Sequence, residues 1–264
     1  METPFSQGGK AVPAGHHALV TGGGRGIGAA IARALVARGQ RVTVLGRRLD
    51  VVQALAAEDP AHFHAVAADV ADAPQVAQAL ADARARFGPV DVLVNNAGQA
   101  ESAPFMKMNA ALWQRMLDVN LTGTMVCTQA VLPGMLEAGW GRIVNVASTA
   151  GQVGYAYVAA YCAAKHGVIG LTRSLALELA AKGVTVNAVC PGYTETDIVR
   201  ESIERVVAKT GRSADEARAE FVKSNPQGRL VRPDEVADAV AWLCGEGAGA
   251  VTGQSVSVAG GEVM

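Results

Sequence analysis

Aromatic residues are scarce, at 5% of the 264 residues, although half the chain is apolar. Ala, Val and Gly fill that share. They suit close helix-on-sheet packing better than an aromatic-cored all-β fold. The few cysteines, Cys127, Cys162, Cys190 and Cys244, are widely spaced and form no Cys-x-x-Cys pair. They read as reduced, mostly buried thiols, not as a disulfide frame. Among the histidines no His-x-x-x-His pair occurs, so no metal site is expected. Also absent is any apolar run of about 18 residues, the length that would span a membrane. A formal net charge of −1 leaves no basic footprint for nucleic acid. Residues 1–15 are polar and lack the apolar stretch of a signal peptide. They read as a flexible arm, and the chain as cytoplasmic.

What is present is an alternation of short β-branched runs with longer Ala-rich helical patterns. Strands are predicted at 18–21, 41–46, 64–68, 90–95, 142–147, 184–189 and 255–258. The first helix is expected at about 26–38. Consecutive apolar positions, as in Val92-Leu93-Val94 and Ile143-Val144, mark strands buried on both faces. The expectation is an α/β fold: a Rossmann-type, doubly wound parallel sheet of about seven strands with helices on both faces. No linker divides the chain, so residues 16–264 read as one dinucleotide-binding catalytic domain. One stretch, about 195–225, carries no strand signal. Ile198, Val199, Ile203, Val206 and Val207 recur there at helical spacing. Thr210-Gly211-Arg212-Ser213 breaks this helix, and Ser213 is placed to cap a second one through Phe221. The pair is either a flap over a cleft or a packed surface hairpin with no gating role.

Thr21-Gly22-Gly23-Gly24-Arg25-Gly26-Ile27-Gly28 follows the first strand and opens the first helix. Its glycines permit a tight turn, and the helix N-terminus offers N–H groups to a pyrophosphate. Where NAD-binding chains hold a carboxylate at the end of the second strand, this one reads Gly46-Arg47-Arg48. Arg25 adds a third basic group. Positive charge favours a 2′-phosphate, hence NADP(H) over NAD(H). Asp50 is the rival acid, and a helix-start cap accounts for it equally well.

Tyr161 and Lys165 lie four apart on a predicted helix from about 157 to 181, and so on one face. A nearby ammonium favours phenolate and lowers the phenol pKa, fitting tyrosine for proton transfer. Ser148 ends the fifth strand, where it can donate to a substrate oxygen; Thr149 is its rival. Tyr155 and Tyr157 have no lysine four residues on.

With these motifs together, the chain resembles the short-chain dehydrogenase/reductase family over essentially all residues after His17. The resemblance rests on the glycine turn, Asn95-Asn96-Ala97-Gly98, Asn120, Ser148, Tyr161-x-x-x-Lys165 and Pro191-Gly192 with Thr196. It implies Tyr161 as general acid/base and Ser148 as the group positioning the substrate oxygen. Lys165 would hold the ribose, and Asn120 would support a proton relay. Cofactor contacts are implied at Thr21, Gly22, Gly24, Arg25, Gly26, Ile27 and Gly28, and at Arg47 and Arg48. Asp69 and Val70 would meet the adenine side, followed by Asn96, Ala97 and Gly98. Tyr161, Lys165, Pro191, Gly192, Thr194 and Thr196 would line the nicotinamide end.

Cleft walls are expected from Gln152, Val153, Tyr155 and Tyr193, which are uncharged. The flap and the ending Asn225-Pro226-Gln227-Gly228-Arg229 look similar to ketoacyl-thioester and polyketide ketoreductases. A 3-oxoacyl thioester on coenzyme A or a carrier protein is therefore one substrate reading. A secondary alcohol or cyclic ketone is another, and a non-catalytic NADP sensor a remote third. Arg200 or Arg205 could meet a thioester phosphate, but solvated surface charge is the plainer reading of each. The Ala-rich helix resembles the one through which family members dimerise, implying a homotetramer built as a dimer of dimers; the alternative is that its small-residue face is intrachain core.

Overall fold

The computed structural model describes residues 15–264. All but the last residue of the N-terminal arm expected from sequence therefore lies outside the described residues. Among these, seven strands form one sheet in the order β3-β2-β1-β4-β5-β6-β7, with every neighbouring pair parallel. They are β1 (His17–Thr21), β2 (Arg41–Gly46), β3 (Phe63–Ala67), β4 (Val92–Asn95), β5 (Gly141–Val146), β6 (Val184–Pro191) and β7 (Ser255–Val258). The order reverses between β1 and β4, which opens a crevice beyond their C-terminal ends.

Helices cover both faces. α1 (Gly26–Val36), α2 (Leu49–Ala56) and α9 (Pro233–Leu243) pack on one. α3 (Ala73–Phe87), α5 (Gly123–Ala138) and α6 (Ala159–Leu179) pack on the other. Ile31 and Leu35 of α1 are fully buried, each worth about 1.5–3 kcal/mol by area. α4 (Ala110–Leu117) runs into α5 through a π-helical turn at Asp118–Thr122. Inside the sheet a polar ladder joins β4 to β5 and α6: Asn95 Nδ2 donates to Asn145 Oδ1, and Asn145 Nδ2 donates to Thr172 Oγ1, each at 2.9 Å. All four cysteines are buried and unbridged. Among the described residues no helix is long and apolar enough to cross a membrane.

Most predicted boundaries differ from these by one or two residues. β6 is longer than expected and reaches Pro191, because β7 pairs alongside residues 188–191. The Tyr161 helix starts at Ala159, not Tyr157, since Tyr157 has φ 68° and cannot join a right-handed helix. Asp50 is not the cap of α2. Arg48 holds that position, and Asp50 lies in the first turn.

The segment after β6 forms α7 (Asp197–Thr210) and α8 (Ala214–Val222). Ser213 caps α8 in a reciprocal capping box with Glu216, as its position suggested. A backbone clasp closes the base of this hairpin. Glu195 N–H donates to Val231 O at 2.8 Å, and Val231 N–H donates to Tyr193 O at 2.9 Å.

Candidate active site

A single cavity of about 1080 Å³ runs from the glycine turn after β1, past the ends of β4, β5 and β6, to the inner faces of α7 and α8. Its inner end is shaped by backbone that tolerates no side chains. A Cβ on Gly28 would sit 2.2 Å from Gly22 O, and one on Gly98 would sit 2.8 Å from Asn120 Oδ1. Gly22, Gly24, Gly26, Ile27, Gly28, Asn96, Ala97 and Gly98 all line it, as do Asp69, Val70, Pro191, Gly192, Thr194 and Thr196. Thr21 does not. Its buried hydroxyl accepts from Asn96 N–H and Ala97 N–H, each at 3.0 Å, tying the two turns together. Asn96 Nδ2 donates in turn to Thr21 O at 3.0 Å.

Arg47 and Arg48 line the cavity beside Gly46 and, among the described residues, sit in no ion pair. Arg25 differs from them. Its Nη1 lies 3.7 Å from Asp197 Oδ2 and 4.0 Å from Glu201 Oε1, so it reaches across to α7. These walls fit a dinucleotide: a glycine cradle at a helix N-terminus, with two guanidinium groups beside it.

At the middle of the cavity stand Tyr161, Lys165 and Ser148. Tyr161 and Lys165 share one face of α6, and Lys165 Nζ lies 5.8 Å from the Tyr161 ring centroid. Nζ donates to Val146 O at 2.8 Å, which anchors the lysine to the end of β5. Tyr161 hydrogen-bonds Ser148, and this opposes the effect of burial on the phenol. Burial prevails and pushes Tyr161 up to about 12, not down as the spacing alone suggested. Lys165 is only 4% exposed, and desolvation drops its ammonium to about 8. The two rivals at the end of β5 are separated by their partners. Ser148 meets Tyr161, whereas Thr149 Oγ1 lies 3.0 Å from the Tyr155 hydroxyl.

Asn120 sits in the π-helical turn with its side chain fully engaged. Nδ2 donates to Gln99 O and Met116 O, both at 2.9 Å, and Oδ1 accepts from Gln99 N–H at 3.2 Å.

Of the predicted cleft walls, Tyr155 and Tyr193 line the cavity, but Gln152 and Val153 do not. Gln152 Oε1 accepts from Ser257 Oγ at 3.0 Å instead, and Val153 is 40% exposed. The short 3-10 turn Thr149–Gly151 carries both away before the chain returns at Tyr155. Rings continue the wall: Tyr193 packs edge-on against Tyr155 at 6.4 Å and against Phe221 at 5.1 Å. Tyr157 also lines the cavity, held in the left-handed region while its carbonyl accepts from Ala103 N–H at 2.8 Å. Sequence reasoning missed Glu262, whose Oε1 accepts from the Tyr155 hydroxyl at 2.6 Å. Nothing in the chain's pattern marks a lone acid near the C-terminus.

Comparison with known proteins adds the following. The short chain dehydrogenase family profile matches residues 16–206. An acetoacetyl-CoA reductase of Rhizobium meliloti is 42% identical over 93% of this chain and 97% of its own. The cis-4-hydroxycyclohexanecarboxylate dehydrogenase of Sinomonas cyclohexanicum is 44% identical over 92% of this chain and 95% of its own. A crystal structure of an actinorhodin polyketide ketoreductase variant with NADPH superposes with a TM-score of 0.90. It is 43% identical, covering 94% of this chain and 97% of that one.

Proposed function

The chain belongs to the short-chain dehydrogenase family and is an oxidoreductase of CH–OH groups, and from that premise we propose that it uses NADPH to reduce the keto group of a 3-oxoacyl thioester. The observation that carries this reading is the one continuous cavity. It joins Arg47 and Arg48, the Tyr161–Ser148–Lys165 cluster and the inner faces of α7 and α8. The nicotinamide, when bound, supplies hydride to the carbonyl carbon. The residues implied for holding the dinucleotide line the cavity, apart from Thr21, which acts through Asn96 and Ala97.

The chain's own groups handle the oxygen. Tyr161 gives its proton to that oxygen as negative charge develops there. A phenol pushed up to about 12 stays protonated at neutral pH, as a donor must. Ser148 Oγ donates a second hydrogen bond to the same oxygen. Lys165 favours the phenolate left behind. Asn120, its amide bonded to residues 99 and 116, acts as a positioning residue that fixes the turn facing Lys165. The rings of Tyr155, Tyr193 and Phe221 give the acyl chain an apolar wall.

A second reading, reduction of a cyclic ketone or oxidation of a secondary alcohol, is favoured by the likeness to the cyclohexanecarboxylate enzyme. Loss of NADPH absorbance with acetoacetyl-CoA, set beside substituted cyclohexanones, decides between them. Turnover of the ketones with none of the thioester would overturn the first reading.

We also propose a homotetramer. Ala159, Ala163, Gly170 and Leu177 form an exposed stripe along α6, Leu177 being 84% exposed. A second copy packed helix-on-helix would bury it. A purely monomeric mass in light scattering would refute this.

A further inference from the structure

α7 carries charges of both signs, and two of its cations line the cavity. Asp197, Ser202, Arg205, Lys209 and Thr210 line the cavity with Val199 and Val206, while Glu201 and Glu204 do not. At 100° per residue Glu204 lies about 140° from Lys209, whereas Glu201 lies only about 40° from Arg205, and its Oε1 is 4.0 Å from Arg25 Nη1. Arg200 is engaged with the acid at the start of α7: its Nη2 lies 3.0 Å from Asp197 Oδ1. Arg205 donates instead to Ser202 Oγ at 2.8 Å, which lays its guanidinium along the cavity face. Among the described residues neither Arg205 nor Lys209 sits in an ion pair. The acid on the facing loop, Glu101, is already held by Arg115 at 2.6 Å.

Position along the helix adds a second constraint. α7 begins next to Thr196, at the nicotinamide end. Arg205 and Lys209 then lie about 12 and 18 Å further along its axis. The lining they share with Tyr161 mixes Val199, Val206, Tyr193 and Phe221 with polar Thr194, Thr196 and Ser202. The arrangement suits an elongated substrate with its keto group at Tyr161 and an anion far down the flap.

We propose that the inner face of α7 is a phosphate subsite, where Arg205 and Lys209 bind the phosphate at the far end of a pantetheine arm. This rests on the thioester reading above and deepens it. Free coenzyme A and a carrier protein share that phosphate. The two cations therefore set affinity for the thioester without touching the reacting atoms.

The test compares acetoacetyl thioesters of phosphopantetheine, coenzyme A and N-acetylcysteamine, the last without phosphate, at saturating NADPH. In an Arg205→Ala/Lys209→Ala double variant, the kcat/KM ratio of phosphopantetheine to N-acetylcysteamine thioester falls about tenfold, mostly through KM. The wild-type preference itself shrinks as salt rises. A larger fall for coenzyme A than for phosphopantetheine assigns the subsite to the nucleotide phosphates as well. An equal fall confines it to the phosphate of the arm. A ratio unchanged within twofold in the double variant overturns the proposal. If the wild-type enzyme turns over none of the three, the thioester reading fails separately. The subsite is then judged by calorimetry of coenzyme A binding to the NADP-loaded protein. Affinity at least fivefold weaker in the double variant sustains it, and a smaller difference overturns it.

Discussion

The hydroxyl of Tyr155 donates a 2.6 Å hydrogen bond to the carboxylate of Glu262, which lies 107 residues further along the chain. The same C-terminal segment supports the flap: a Cβ on Gly260 would collide with Asn225, whose Nδ2 donates to Arg229 O at 2.7 Å at the flap's return. Residues 260–262 thus brace the Tyr155 loop and the Asn225 turn after α8 together.

Glu262→Gln weakens this brace without removing its shape. A charge-assisted bond becomes a neutral one, so KM for the ketone rises about three- to tenfold while kcat changes less. Tm falls by about 2–4 °C. Steady-state kinetics and a thermal melt check both, and an unchanged KM would show that Tyr155 needs no such anchor.

Tyr161→Phe removes the proton donor and keeps the ring. The rate of ketone reduction drops by at least about 10²-fold. NADPH affinity, followed by fluorescence titration, changes little by comparison. Reduction at the wild-type rate would falsify the proposed mechanism.

Lys165 makes stability depend on pH in a defined direction. Its ammonium is pushed from 10.5 to about 8 by burial, so between those values the unfolded chain holds more protons than the folded one. Stability from this group therefore rises with pH across that window. Below pH 8 the full penalty, about 3 kcal/mol, is present. Relative to wild type, Lys165→Met should melt higher at pH 7, with the gap narrowing toward pH 10. A gap that widens with pH in parallel thermal melts would contradict this.

Among the described residues Arg47 and Arg48 sit in no ion pair, as the proposed use of NADPH requires, whereas Arg25 faces Asp197 and Glu201. Replacing both Arg47 and Arg48 by Ala should raise KM for NADPH about 10- to 100-fold and leave KM for NADH nearly constant. Arg25→Ala should have a smaller effect on the ratio. Equal losses with both cofactors would remove the basis for NADP preference.

Much of the sheet was legible because its signals are local. Val92-Leu93-Val94 shows a doubly buried strand on its face, and Ser213 announces a helix cap three residues before Glu216. The Tyr161–Lys165 pair follows from helical spacing alone, and the glycine turn from its place between strand and helix. Less accessible were features set by contacts distant in sequence. The extension of β6 to Pro191 depends on β7, and the departure of Gln152 and Val153 from the cleft depends on a tight turn after Ser148.

Composition and periodicity by themselves determined the layered α/β architecture, and short local patterns marked the glycine turn and the Tyr161–Lys165 spacing, since each is written within a few consecutive residues. Only the tertiary structure decided the electrostatic state of those side chains. Burial raises the Tyr161 phenol and lowers the Lys165 ammonium, against the trend that spacing implied. It also decided that Glu262 reaches Tyr155 and that Arg205, not Arg200, faces the cavity. Desolvation and long-range contact depend on everything that surrounds a group once the chain has folded, and no short window of sequence contains that.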